Sequence, residues 1–225
     1  MKKSNAALTV ITAACALSSA QAAEQDVQVW NAVVLEHALT AKIPATLEFG
    51  GRLVDDAGRL GVVLVRPTIG YRVSDNLTVS LGYAYFRTVN RGRPDASENR
   101  VFQQVNWRIG SIGRATLLSR FRLEQRRFAG AHDLGWRMTA RIRMRIPIEG
   151  KRASIMLSHE QIYALNTTDW GARAGFDQMR NFVGVNLPLS EAVMLETGYQ
   201  NRYQIRQGVA DRIDHIIPVT LNIKI

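Results

Sequence analysis

The sequence predicts an all-β protein: an antiparallel transmembrane up-and-down β-barrel of about ten to twelve strands, following a cleaved signal peptide. Three observations predict it. The first residues have the composition of a secretory leader. Beyond them, apolar residues recur at every second position over runs of about ten residues, the repeat of a membrane-spanning strand. The connections between those runs alternate between short turns and longer polar loops. The average composition conceals this, since 225 residues with 21% charged residues, a net charge of +10 and a mean hydropathy of −0.10 describe an ordinary polar chain. Seventeen glycines, six prolines and one cysteine exclude collagen-like and disulfide-scaffold architectures.

Residues 1–22 read as an address. Lys2 and Lys3 form a basic start, residues 6–16 are uncharged and mostly apolar, and Ala20-Gln21-Ala22 is a small-x-small cleavage site. The apolar run is shorter than the roughly 20 residues that a spanning helix needs. The domain division is therefore a signal peptide over 1–22 and a barrel over 23–225. Cys15 falls inside the leader, so the exported part can pass an oxidising compartment without forming disulfides.

The strands follow in order. Segments 27–38 and 44–53 come first, and there Trp30 and Val34 break the alternation. Segment 62–73 precedes 77–89, where Leu77, Val79, Leu81, Tyr83 and Tyr85 interleave with Thr78, Ser80, Gly82 and Ala84. After 99–109 comes 114–127, with Ala115, Leu117, Phe121 and Leu123 on one face. The clearest strand is 135–147, where Trp136, Met138, Ala140, Ile142, Met144 and Ile146 alternate with a face that is almost all arginine. Segments 151–163, 178–188 and 191–205 lead to 211–225, whose face is Ile213, Ile217, Val219, Leu221 and Ile223. Short turns fall near 74–76, 110–113, 149–151 and 188–190, and longer loops at 54–61, 90–98, 128–134, 164–177 and 206–210. Eleven segments is an odd number, whereas single-chain bacterial barrels have even ones. The sequence thus suggests that one segment splits, leaves the wall or has a missing neighbour. A soluble sandwich or lipocalin-like barrel is the alternative, because alternation does not say which face is outside.

Several segments resemble a known bacterial family. They are Asp26-Val27-Gln28-Val29-Trp30 leading to Glu36, Glu98-Asn99-Arg100-Val101-Phe102-Gln103, and Arg120-Phe121-Arg122-Leu123-Glu124-Gln125-Arg126. Phe176-Asp177-Gln178-Met179-Arg180-Asn181-Phe182-Val183-Gly184 followed by Gly198-Tyr199 completes the set. In this order they resemble the family catalogued as domain of unknown function 2490, grouped with outer-membrane barrels. The resemblance spans nearly the whole exported chain. It implies a barrel fold and an outer-membrane location in a Gram-negative bacterium, and brings no activity and no catalytic residues.

The residues themselves point to the interior. The lysines are only Lys2, Lys3, Lys42, Lys151 and Lys224, so arginine supplies the rest of the 29 basic residues. Arg66, Arg72, Arg100 and Arg108 fall on the polar side of their segments. So do Arg114, Arg120, Arg122, Glu124 and Arg126 in the next strand, and Arg137, Arg141, Arg143 and Arg145 in the one after it. Glu160 and Glu196 share that side. An arginine facing lipid at the midplane costs about 2–4 kcal/mol, so all these residues are expected to line the lumen.

Two functions follow. A water-filled lumen of this charge would pass small anionic solutes, because rings of arginine favour anions. A narrow lumen would instead be filled by an Arg–Glu network, leaving a closed structural or interaction barrel whose outer loops meet a partner. One register is fixed closely enough to state. A turn centred between Gly150 and Lys151 places Arg141 opposite Glu160, Ile142 opposite His159 and Met144 opposite Leu157.

Other classes find little support. Arginines that alternate with apolar residues behind a secretion signal do not form a nucleic-acid surface. No enzyme is expected: Ser158-His159 is the one local pair, and adjacent strand residues point to opposite faces. No metal spacing and no cofactor motif occurs. The expected partners are outer-membrane lipid and, for an open lumen, small anions.

Overall fold

The computed structural model describes residues 23–225, and the leader assigned to 1–22 lies outside them. Every alternating segment becomes a strand: β1 (Glu24–Thr40), β2 (Ile43–Val54), β3 (Arg59–Ser74), β4 (Leu77–Thr88), β5 (Ala96–Ile112), β6 (Ala115–Phe128), β7 (Leu134–Pro147), β8 (Ser154–Ala164), β9 (Gly175–Pro188), β10 (Val193–Gln204) and β11 (Arg212–Lys224). They form one closed barrel in sequence order. Closure leaves no strand with an unpaired edge. The connections 41–42, 75–76, 113–114, 148–153 and 189–192 gather at one end, here the turn end. Those at 55–58, 89–95, 129–133, 165–174 and 205–211 gather at the other, the loop end.

The odd strand count is genuine, and it corrects the expectation of a wholly antiparallel wall. With eleven strands running up and down, the first and last point the same way. β1 and β11 therefore pair in parallel, from Glu24↔Arg212 to Glu36↔Lys224. All other neighbours are antiparallel. Trp30 and Val34 do not break the phase of β1 either. They lie on the inward row with Ala32 and Glu36, facing the bore, so the first strand alternates regularly with some of its apolar side chains turned inside.

Register fixes which side each residue takes. Arg141 pairs with Glu160, Ile142 with His159 and Met144 with Leu157, as the turn geometry predicted. The outer face carries Phe49, Leu81, Phe121, Ile142, Val183 and Ile217, all exposed. The inner face differs between the two halves of the bore. Toward the loop end the inward side chains are large and buried, among them Phe86, Phe102, Ile162, Glu98, Glu124 and Asp214. Phe102 lies so tightly over β4 that a Cβ on Gly82 would come within 2.1 Å of its ring. Toward the turn end small inward residues such as Ala32, Ser158 and Thr220 leave space instead.

Candidate functional site

That space is a cavity of about 620 Å³. Its wall runs from turn-end residues, Ser190, Glu191 and Lys224, to side chains deep in the bore, Trp30, Phe86, Glu124 and Arg137. None of the five loops contributes to the lining, so the cavity has its mouth at the turn end only. Nine arginines and Lys224 face six glutamates around it.

The floor is an ion-paired layer. Glu98 takes Nε and Nη2 of Arg100 at 2.8 and 2.6 Å and Nε of Arg126 at 2.5 Å. Glu124 takes Nε and Nη2 of Arg137 at 2.6 and 2.5 Å. Glu160 takes Arg120 at 2.5 Å and Arg180 at 3.1 Å. A forked guanidinium on a two-oxygen carboxylate gives short, charge-assisted bonds with fixed geometry. Breaking one side of such a buried pair is costly because the other charge is left behind.

Aromatic rings hold further cations. The Arg52 guanidinium lies 3.9 Å from the centre of the Trp30 ring, with Arg180 and Arg202 each at 5.4 Å. Arg100 covers Phe86 at 3.8 Å and Arg122 covers Phe102 at 4.2 Å. Each desolvated contact of this kind contributes up to about 2 kcal/mol.

At the parallel seam the interior side chains cross from strand to strand. The Gln28 amide donates to Asp26 at 2.7 Å and to Asp214 at 2.9 Å. Arg212 reaches the same two carboxylates at 2.6 and 2.7 Å, and Nε of Arg202 adds a bond to Asp214 at 2.5 Å. Arg212 and Gln28 thus clasp two acids that register brings side by side.

The loop end is covered by the 165–174 connection. Trp170 packs on Phe128 with ring centroids 4.5 Å apart, and Arg126 lies 4.9 Å from its ring. A Cβ on Gly135 would stand 2.3 Å from the Trp170 ring, so glycine is what admits the indole. The indole N–H donates to the Asp133 carbonyl at 3.1 Å. Asp169 accepts the backbone N–H groups of His132 and Asp133 at 2.8 and 3.2 Å, and Asp133 accepts that of Asp169 at 2.7 Å.

The residues expected in the lumen divide by height. Arg66, Arg100, Arg120, Arg122, Glu124, Arg137, Arg141, Arg143, Glu160 and Glu196 line the cavity. Arg126 is interior but lies beyond the cavity, on Glu98 and under Trp170. Arg108 is exposed and lines a smaller turn-end pocket of about 260 Å³, whose wall Arg141 and Arg143 share. Arg145 continues the face of Arg143 out to the exposed rim, and Arg72 is exposed there with Nη1 on the Ala41 carbonyl at 2.6 Å. Arg114 needs correction. It belongs to the 113–114 turn, and its guanidinium meets Glu149 of another turn at 2.9 Å, outside the bore.

The partners also differ from the simplest expectation. Arg141 stands opposite Glu160, yet Arg120 and Arg180 take that carboxylate. Arg122 bonds Gln104 and stays 3.8 Å from Glu124. Arg143 pairs with Glu196 of β10, which is not adjacent to β7 in the wall, so this bridge spans the bore. The interior roles of Arg52, Arg180, Arg202 and Trp30 were not foreseen. Period two starting from Glu48 leads to Arg52, and starting from Gln178 it leads to Arg180, so that signal was present in the sequence. Ser158 lines the cavity, whereas His159 bonds Asn181 at 2.7 Å on the outer side.

Known proteins agree with the family resemblance. An uncharacterized protein of Methylorubrum extorquens is 33% identical over 202 residues, covering 89% of this chain and 88% of its own length. The model of the family described as protein of unknown function DUF2490 matches residues 27–213, and the chain belongs to that family.

Proposed function

We propose that the protein is an outer-membrane β-barrel whose bore is closed: a structural or interaction barrel held by an internal Arg–Glu network. The observation that carries this reading is the inversion of polarity across the wall. Leu81 is 53% exposed, Phe121 52% and Ile142 55% on the outside, while Asp214 is 0% exposed inside. Contiguous apolar surface of this kind belongs against another apolar phase. The buried acids Asp26, Glu98, Glu124, Glu160 and Asp214 each meet guanidinium groups, which makes interior charge tolerable. Tyr83, Tyr85, Trp107, Trp136 and Tyr199 are exposed on the outer side, as an interfacial girdle would be.

The turn end would face the periplasm and the loop end the outside, as in barrels of this kind. Buried loop-half side chains and the seated Trp170 support closure over conduction. Planar-bilayer recording of the purified chain tests this. Silent bilayers are the expected result, and reproducible unitary steps would overturn it.

A further inference from the structure

We propose that the turn-end cavity is a binding site for a small phosphorylated organic molecule, with Arg141 as its central anchor. The inference rests on the closed-bore reading, in which a one-mouthed cavity holds what enters it. Four cavity-lining arginines, Arg66, Arg120, Arg141 and Arg143, have buried Nε–H groups with no hydrogen-bond partner among the described residues. Gln200 adds an unpartnered amide nitrogen in the same wall. Buried donors normally find acceptors, and these five lack one in the wall of a single cavity, where Asn186 Oδ1 is the one unpartnered acceptor among the described lining residues.

Arg141 is the strongest case. Arg120 and Arg180 occupy the carboxylate that register sets opposite it, and no described carboxylate comes within 4.0 Å of its guanidinium. Arg120 and Arg143, its inward neighbours on β6 and β7, are cations as well. Such a crowd of like charge is unfavourable without an anion, and the lining as a whole carries more arginine than glutamate.

Chemistry then selects the ligand. An Nε–H paired with an Nη–H offers a two-pronged fork, and a phosphate group has enough oxygens for more than one fork. Lysine would supply only point charges, yet all but one of the cations lining the cavity are arginine. The volume of about 620 Å³ exceeds what a bare ion needs. Trp30, Phe86 and Phe182 line the same space and offer apolar contact for the organic part. The mouth lies inside the wall beside the 189–192 turn, which favours a ligand from solution over a lipid headgroup.

The test is calorimetric titration of the full-length chain in uncharged detergent, at low salt, with glucose 6-phosphate, pyrophosphate and glucose. Both phosphate probes should saturate one site and glucose should not bind. Arg141→Gln should weaken binding about tenfold or more, as loss of a charge-assisted fork does. Ser158→Glu adds an anion to the wall without removing an arginine and should weaken it similarly, so the result does not depend on one variant folding. Arg114→Gln, outside the bore, should bind as the unaltered chain does. If nanodiscs containing phosphatidylglycerol abolish binding of the soluble probes while phosphatidylcholine discs do not, the site takes a lipid headgroup and the soluble-ligand proposal falls. Absence of saturable binding, or binding indifferent to both cavity variants, overturns the site. Bilayer recording of the same sample separates the two readings. Unitary steps with intact phosphate binding refute the closed bore and leave the site, whereas silent bilayers without binding refute the site alone.

Discussion

Single residues in this barrel are held by what their neighbours lack as much as by what they offer. Gly135 is the floor on which Trp170 sits, so Gly135→Val should drive the indole off, because even a Cβ would stand 2.3 Å from it. Trypsin should then cut at Arg173, an exposed residue in the same connection, faster than in the unaltered protein. The 55–58 connection shows the converse. Asp55, Asp56 and Ala57 all have left-handed backbone, with φ of 54°, 55° and 58°. Asp26 helps hold them there by accepting the N–H of Asp56 at 2.9 Å, while the Val27 carbonyl accepts that of Ala57 at 2.9 Å. A side chain in this region is strained, and glycine is not. Ala57→Gly should therefore raise unfolding stability by about 0.5–1 kcal/mol, read from urea titrations in detergent. A decrease would show that the strain is relieved by contacts of the Ala57 methyl group.

Elements depend on pairings made far apart in sequence. At the seam, Asp214 is fully buried between Arg202 and Arg212, so Asp214→Ala leaves Arg202 without its carboxylate and Arg212 with Asp26 alone. A cost of about 3–5 kcal/mol is expected, measurable as a lower temperature for the heat-induced shift in gel mobility. A change below 1 kcal/mol would mean that backbone pairing alone holds β1 to β11. The 165–174 connection should respond to acid. The N–H of His132 in particular holds the Asp169 carboxyl below its ordinary value of 3.8. A depressed carboxylate stabilises the folded loop above the unfolded value, and that stabilisation disappears as pH falls through the lower folded one. The indole N–H resonance of Trp170 should lose protection in that acid range, and in Asp169→Asn it should no longer depend on pH there. All eleven strands were legible because period two persists wherever one face is apolar, even through β7 with its row of arginines. Their ends were less so: β1 runs from Glu24 to Thr40, beyond the 27–38 segment, because Asp26 is a buried polar residue that an apolar alternation leaves out. The ion-pair partners were not legible at all. Cross-strand register gives Arg141 and Glu160, but the long arginine side chain lets Arg120 reach past its neighbour to the same carboxylate.

On the scale of the whole molecule, the bore is two different interiors in series, a packed ionic half and a hollow cationic half. In the proposed orientation a peptide tag at Arg93, an exposed residue of the 89–95 connection, should be reached by antibody on intact cells. A tag at Asp75, in a two-residue turn at the other end, should need permeabilised cells. The reverse labelling would invert the barrel. The parallel seam has a consequence for the two ends of the polypeptide. Even-stranded walls return their last strand to the end where the first began, but here Glu24 leaves the barrel at the loop end and Ile225 at the turn end. In the proposed orientation, with the loops outward, Ala23 just before Glu24 would lie at the cell exterior. No cysteine follows Cys15, so a thiol introduced at Ala23 would be the only one beyond residue 15. A membrane-impermeant maleimide should label it on living cells, making the start of the first strand a natural point from which to display a fused peptide.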